Sequence, residues 1–356
     1  MLCDHGNNSF SFDSPSGVSV LIGPSHAGGF AARKCAAELT WRKQRLSVAD
    51  QVPQIDLDLF NVDIGLASPV AAFEVKASEE SCCLNYEIYT LQSAPGLLRT
   101  LHGGFFKAAD TELDGRVEIW AEDGEAIDGL DGLSATTFDF LPTYVLRFEG
   151  DRLLDASKEF APHFDEIISG LRTKLTSEEL ADFKRSDGKL PFSAAEVERY
   201  RTLRSTKMAV LEIVWSYLYS GRDDEAWKAL REMWPPSDRD RIQAAIAERR
   251  KRGILTQIDG VALPPGRKKE RPVFRQSEVT PARAMNPSFP DLGPSVPKSV
   301  DLDLVIDSAG KIRVLTPEPY LEPYLVHYAL AWKFVPAIRH GHSVASHLHL
   351  SLSLKR

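Results

Sequence analysis

Four carboxylates, Asp110, Glu112, Asp114 and Glu118, stand at positions one, three, five and nine of a single acidic run in this 356-residue chain. Acids at those positions can converge on one hard cation. Gly115 at position six permits the sharp turn, and the Arg116 carbonyl is offered at position seven. The oxygen-only donor set suits Ca²⁺. Position twelve is Ala121 and the following residues read as a strand, so the run is not an EF-hand. The reading without a metal is an acidic β-turn. A second cluster is histidine: His327, His340, His342, His347 and His349 crowd the tail, with His347 and His349 on one strand face. No carboxylate or cysteine joins them, so a solvated face is expected there. Gly23-Pro24-Ser25-His26-Ala27-Gly28-Gly29 has a phosphate-loop flavour but lacks the Gly-Lys-Ser/Thr ending. No G-x-S-x-G, H-E-x-x-H or paired Cys/His nucleophile is present, and no enzyme activity is expected.

The four cysteines, Cys3, Cys35, Cys82 and Cys83, have neither CxxC nor zinc-ligand spacing. They read as small apolar core residues. A bridge between the neighbours Cys82 and Cys83 would be strained, and on a strand they would point apart. A net charge of -7 argues against nucleic acid as a partner. No apolar run reaches the length of a bilayer span, and the first 29 residues do not read as a signal peptide.

The elements that must position these groups fall into an α+β multi-domain arrangement. Residues 1–40 read as a poorly ordered segment, and 41–155 as a β-rich domain. Within it, residues 55–66, 70–76, 84–91, 117–121 and 143–149 carry strand composition, punctuated at Pro69, Pro95-Gly96, Gly103-Gly104 and Gly124. Residues 156–262 read as helical. A helix opens at a Ser177 cap, Met208, Leu211, Trp215, Leu218 and Tyr219 form one apolar stripe, and Gly221 stops that helix. Residues 263–299 are proline-rich and basic, an extended linker. Residues 300–356 read as β-β-α-β, with strands at 300–307, 311–315 and 343–354 and a helix at 321–334.

That tail resembles the TonB C-terminal domain. The resemblance runs through Val300-Asp301-Leu302-Asp303-Leu304-Val305-Ile306-Asp307 and Gly310-Lys311-Ile312. It continues in Ala331-Trp332-Lys333-Phe334-Val335-Pro336-Ala337 and Gly341-His342-Ser343-Val344. It implies a small sheet whose last strand has an open edge that captures an extended partner segment, in that family the N-terminal segment of outer-membrane receptors. Carried over, the edge strand holds Val344, Ser346, Leu348, Leu350 and Leu352, while Trp332, Phe334 and Pro336 serve the core and turn. Residues 316–323, rich in proline, depart from the family's small-residue turn, and the membrane helix that anchors its energy transducers is missing from this sequence.

Asp110-Thr111-Glu112-Leu113-Asp114-Gly115-Arg116-Val117-Glu118-Ile119-Trp120 resembles the calcium loop of FG-GAP β-propeller repeats, with Glu112 longer than the usual residue at its place. Trp215, Leu218-Tyr219, Gly221, Glu225-Ala226, Leu230 and Pro235 resemble one tetratricopeptide unit, too short to form a binding array. The chain is therefore expected to be a non-enzymatic envelope or periplasmic binding protein, linked to TonB-dependent transport, with any export signal or anchor lying outside this sequence. Taken literally, the start implies cytoplasm. The competing expectation is a secreted calcium-dependent glycan-binding protein or hydrolase using the β-rich domain.

Overall fold

The computed structural model describes residues 2–14, 16–25, 34–80, 82–92, 94–190, 192, 196–263, 272–285, 287, 299–317 and 323–353. It is a mixed α+β structure. Strand β1 (Leu2–Asp4) is followed by β2 (Phe10–Asp13), β3 (Val18–Pro24), β4 (Cys35–Trp41) and β5 (Gln44–Val52). The last four form an antiparallel sheet in sequence order. Its alternate residues Val18, Val20, Ile22, Ala37 and Leu39 are buried, as a one-sided sheet requires. This corrects the reading of residues 1–40 as poorly ordered; their described part supplies four strands. The alternation is short and broken by Gly17, which hides it in a long window.

The chain continues through β6 (Gln54–Val62), β7 (Val70–Lys76), β8 (Leu84–Thr90), β9 (Gly96–Ala109), β10 (Glu118–Glu122), helix α1 (Gly124–Ile127), β11 (Thr143–Glu149) and β12 (Arg152–Asp155). Helices α2 (Ala161–Lys174), α3 (Ser177–Arg185), α4 (Val197–Tyr219), α5 (Asp223–Met233) and α6 (Arg239–Arg250) follow, then β13 (Gly260–Val261). The sheet runs β1-β6-β7-β8-β9-β10-β11-β12-β13. Gly103-Gly104 is not a break between elements, as its composition suggests. It is a bend inside the 14-residue β9, with Gly103 at φ +79°. A Cβ on Gly104 would stand 2.7 Å from the Glu122 carbonyl oxygen, so the turn needs glycine there. Before the bend β9 pairs with β8; beyond it, residues 105–109 pair with β10.

Sheet and helices share one core. Val62, Tyr86, Phe106 and Tyr144 belong to the same buried cluster as Trp215, Tyr219 and Trp234. Burying each such side chain contributes about 2–3 kcal/mol, so residue 155 does not divide two cores. Helix α3 is capped by Thr176, one residue ahead of the expected Ser177, through a reciprocal box with Glu179.

The C-terminal unit comprises β14 (Arg283–Ala284), β15 (Ser299–Ile306), β16 (Ile312–Pro317), α7 (Pro323–Leu330), β17 (Phe334–Val335), β18 (Ala337–Arg339), β19 (His342–Val344) and β20 (Ser346–Ser353). Its sheet is ordered β16-β15-β20 around Leu302, Leu304, Ile306, Trp332, Phe334 and Leu348. Helix α7 ends before Trp332, shorter than the helix read at 321–334.

The linker reading is corrected in part. β14 pairs with β17, and Thr280 exchanges backbone hydrogen bonds with Ile338, so these residues are docked on the C-terminal unit. Residues 264–271, 286 and 288–298 of that stretch lie outside the described residues, as does Leu354. The cysteines are not simple core residues either: Cys3 is bonded to Cys35, and Cys82 to Cys83. The second pair occupies a bend, not a strand, so the side chains are not forced to opposite faces.

Candidate functional site

Past its bend, β9 has lost β8 as a partner, and its backbone amides on that side need acceptors. Side-chain carboxylates provide them at every second residue. Phe106 N donates to Glu74 Oε1 (2.8 Å), Ala108 N to Asp58 Oδ2 (2.9 Å) and Asp110 N to Asp307 Oδ2 (3.1 Å). The three acids come from β7, β6 and the turn after β15. The period of two is that of a strand, so this edge is sealed by charge where a ladder would otherwise continue.

The seal also joins the C-terminal unit to the main sheet. Lys311 Nζ donates to Asp58 Oδ1 (2.5 Å), and Lys333 Nζ to Asp56 Oδ2 (2.8 Å). Ser308 Oγ donates to Asp110 Oδ2 (2.8 Å), and the Tyr86 hydroxyl to Asp58 Oδ2 (2.7 Å). Burial alone would raise the Asp58 carboxyl, but Lys311 and then Lys333 outweigh it and hold it below its ordinary value. Among the described residues, Glu74 has no such cation at contact distance. Burial, and then the charge of Asp58, push it up to about 7, while burial raises Asp307 to about 6. Sequence reasoning singled out none of Asp56, Asp58, Glu74, Asp307, Lys311 and Lys333 as a site. Asp56 and Asp58 stand at the polar positions of an alternating strand, and their lysine partners lie more than 250 residues away.

The acidic run is built differently from an open cation cage. Asp110 accepts the amides of Asp114 (3.0 Å) and Gly115 (2.9 Å). Asp114 Oδ2 is bound by Arg116 Nε at 2.7 Å, and Arg116 also stands 3.9 Å from Glu112. Glu118 accepts the Thr111 amide at 3.3 Å, and burial pushes its carboxyl up to about 8. The Arg116 side chain thus supplies a positive charge at the loop. Among the described residues, no three His, Cys, Asp or Glu side chains are placed to hold one metal ion. Of the tail histidines, His342 Nδ1 lies 2.9 Å from Asp63 and His349 Nδ1 2.9 Å from Asp303, two separate pairs.

Strand β20 lies at the rim of its sheet, paired on one side with β15. Of the residues assigned to the edge, Leu348 is buried, Leu350 and Leu352 pack on the core, and Val344 belongs to a separate ladder with Ala337. Ser346 is buried, and its hydroxyl has no hydrogen-bond partner among the described residues. The backbone groups that face outward belong to the alternate residues. Phe274 N donates to Ala345 O (3.0 Å) and His347 N to Phe274 O (2.9 Å), a parallel bridge made by the chain itself. Gln276 Oε1 then reaches toward His349 N at 3.5 Å. The edge is therefore not open along its whole length: residues 272–276 cover its beginning.

Trp332, Phe334 and Pro336 are all buried, and Phe334 N donates to Gly310 O at 3.1 Å. A Cβ on Gly310 would collide with the Phe334 carbonyl, which ties the turn after β15 to this motif.

A separate cavity of about 560 Å³ opens on the outer face of β9–β11, between α2, the 138–141 loop and Arg313 of β16. Phe105, Trp120, Phe138, Phe140 and His163 line it together with Lys107 and Glu122.

No family model, curated protein or solved structure matches this chain.

Proposed function

We propose that the chain is a non-enzymatic binding protein of the cell envelope whose C-terminal unit captures an extended partner segment along the outer edge of β20. The observation that carries the reading is the bridge at Phe274, where this edge already takes an extended segment through backbone hydrogen bonds. Parity along β20 turns the N–H and C=O of His349 and Ser351 the same way as those of His347. A partner strand adds beyond Gln276, gaining about 0.5–1.5 kcal/mol for each backbone hydrogen bond made. The envelope reading draws support from the two disulfides, since such bonds persist in oxidising compartments. Among the described residues, no helix is long and apolar enough to cross a membrane.

The test uses a photo-crosslinking residue at position 349 in cell envelopes. Ser351→Pro removes one outward amide without touching the core and should abolish the crosslinked product, whereas Ser351→Ala should keep it. An undiminished product in the proline variant would rule out strand addition.

A further inference from the structure

The cavity on the outer face of β9–β11 plays no part in strand capture, yet it is built like a ligand site. Its volume of about 560 Å³ falls within the range that holds small organic molecules. The walls are aromatic. Phe105 and Trp120 stand on neighbouring strands, and His163 of α2 meets Trp120 edge-on with ring centres 4.9 Å apart. Burial pushes the His163 imidazole below its ordinary pKa, keeping that wall uncharged near neutrality. The Trp120 indole N–H is already satisfied by Thr111 Oγ1 at 3.1 Å, so the ring has no polar demand left. Phe140 keeps 38% of its surface exposed at the rim. Its loop is fixed in place, because Glu212 Oε1 accepts the amides of Asp139 (2.9 Å) and Phe140 (3.4 Å).

The charges are unevenly paired. Arg313 donates to the Thr111 carbonyl at 3.2 Å, and Lys107 lies opposite Trp120 in the β9–β10 ladder. Among the described residues neither Arg313 nor Lys107 makes a salt bridge within 4.0 Å. Two acids also line the cavity. Asp139 is turned to Lys174 at 3.8 Å, and burial pushes Glu122 up from its ordinary value against the pull of Lys107. Two cations beside an aromatic wall suit a ligand with a flat ring system and one anionic group.

We propose that this cavity binds a planar aromatic anion. Its rings lie against Trp120, Phe105 and Phe140, and its carboxylate or sulfonate is held by Lys107 and Arg313. The inference is independent of strand capture, since none of these residues belongs to β20.

The probes are 1-anilinonaphthalene-8-sulfonate and its uncharged relative N-phenyl-1-naphthylamine, each titrated by fluorescence into the full chain. One saturable site per chain is expected for the sulfonate. Arg313→Gln and Lys107→Gln should each weaken it about tenfold while leaving the neutral amine within about twofold. Phe140→Ala, a rim change that leaves the core untouched, should weaken both probes by about tenfold. Several weak sites insensitive to all three variants would overturn the proposal. So would a neutral amine that binds as tightly as the sulfonate with both indifferent to Arg313→Gln. Retained sulfonate binding in Ser351→Pro would show the cavity working without the β20 edge.

Discussion

Two strand edges in this molecule meet the same need in opposite ways. Beyond its bend β9 is sealed by the carboxylates of Glu74, Asp58 and Asp307. Strand β20 is covered at its beginning by the backbone of residues near Phe274. The first edge lies inside the molecule, between the main sheet and the C-terminal unit. There a backbone partner would demand another strand, whereas a carboxylate needs only one side chain and can also hold a lysine. The second lies at the surface, where a backbone bridge of two hydrogen bonds can be exchanged for another. A side-chain seal is thus permanent and specific, and a backbone seal is replaceable.

The contrast breaks most sharply at Asp58. Asp58→Ala takes the carboxylate from Lys311, leaving it only the backbone carbonyl of residue 58, and orphans the Ala108 amide and the Tyr86 hydroxyl. It should lower stability by about 3–5 kcal/mol in urea unfolding; a loss below about 1 kcal/mol would show the seal to be dispensable. A smaller effect with a distinctive pH signature is expected at Glu74. Its folded pKa, about 7, is raised above the ordinary 4.5. The stability it contributes is therefore full below 4.5 and falls away as pH rises through 7. Glu74→Gln keeps an acceptor for Phe106 N but cannot ionise. It should stabilise by about 2–3 kcal/mol more at pH 8 than at pH 5, and equal effects at both values would refute that account. The weakest perturbation falls on β20. Phe274→Pro removes the amide that binds Ala345 O, at a loss of about 1 kcal/mol. It should speed hydrogen exchange at His347, with Phe274→Ala as the control for the lost ring. Unchanged exchange would mean that the bridge does not protect the edge.

Much of the scaffold is legible in the sequence because it follows local periodicity. Strands β7 and β11 coincide with the read segments at 70–76 and 143–149. The helical stripe of α4 and strands β15 and β16 also follow their patterns, whereas the single strand read at 343–354 is split at Ala345 into β19 and β20. What escapes is which face of an amphipathic strand meets water. Ile55-Asp56-Leu57-Asp58-Leu59 alternates cleanly, yet Asp58 is buried, because lysines from far along the chain cover the polar face. Periodicity shows that two faces differ; it cannot say that a distant cation makes the polar one an interior. The same limit hides the cavity, whose lining is gathered from β9, β10, α2 and β16. Gly103-Gly104 misleads for another reason: glycine marks a bend as readily as an end, and only the pairing on either side tells them apart. The acidic run at 110–118 has the spacing of a cation loop, but Arg116 within it folds back on Asp114 and alters what the same acids do.

The bridge at Phe274 also sets a threshold for any competitor. The covering segment belongs to the same chain, so its local concentration at the β20 edge is fixed by tether length and does not fall on dilution. For tethers of ordinary length that concentration is on the order of millimolar. A free peptide seeking the positions at Ala345 and His347 must win against that standing occupant, and weak, abundant sequences will fail. One that pairs only with His349 and Ser351 has no backbone occupant to displace, only the Gln276 side chain 3.5 Å from His349 N. The covered half of the edge therefore acts as an affinity filter, and the uncovered half as the point where binding begins.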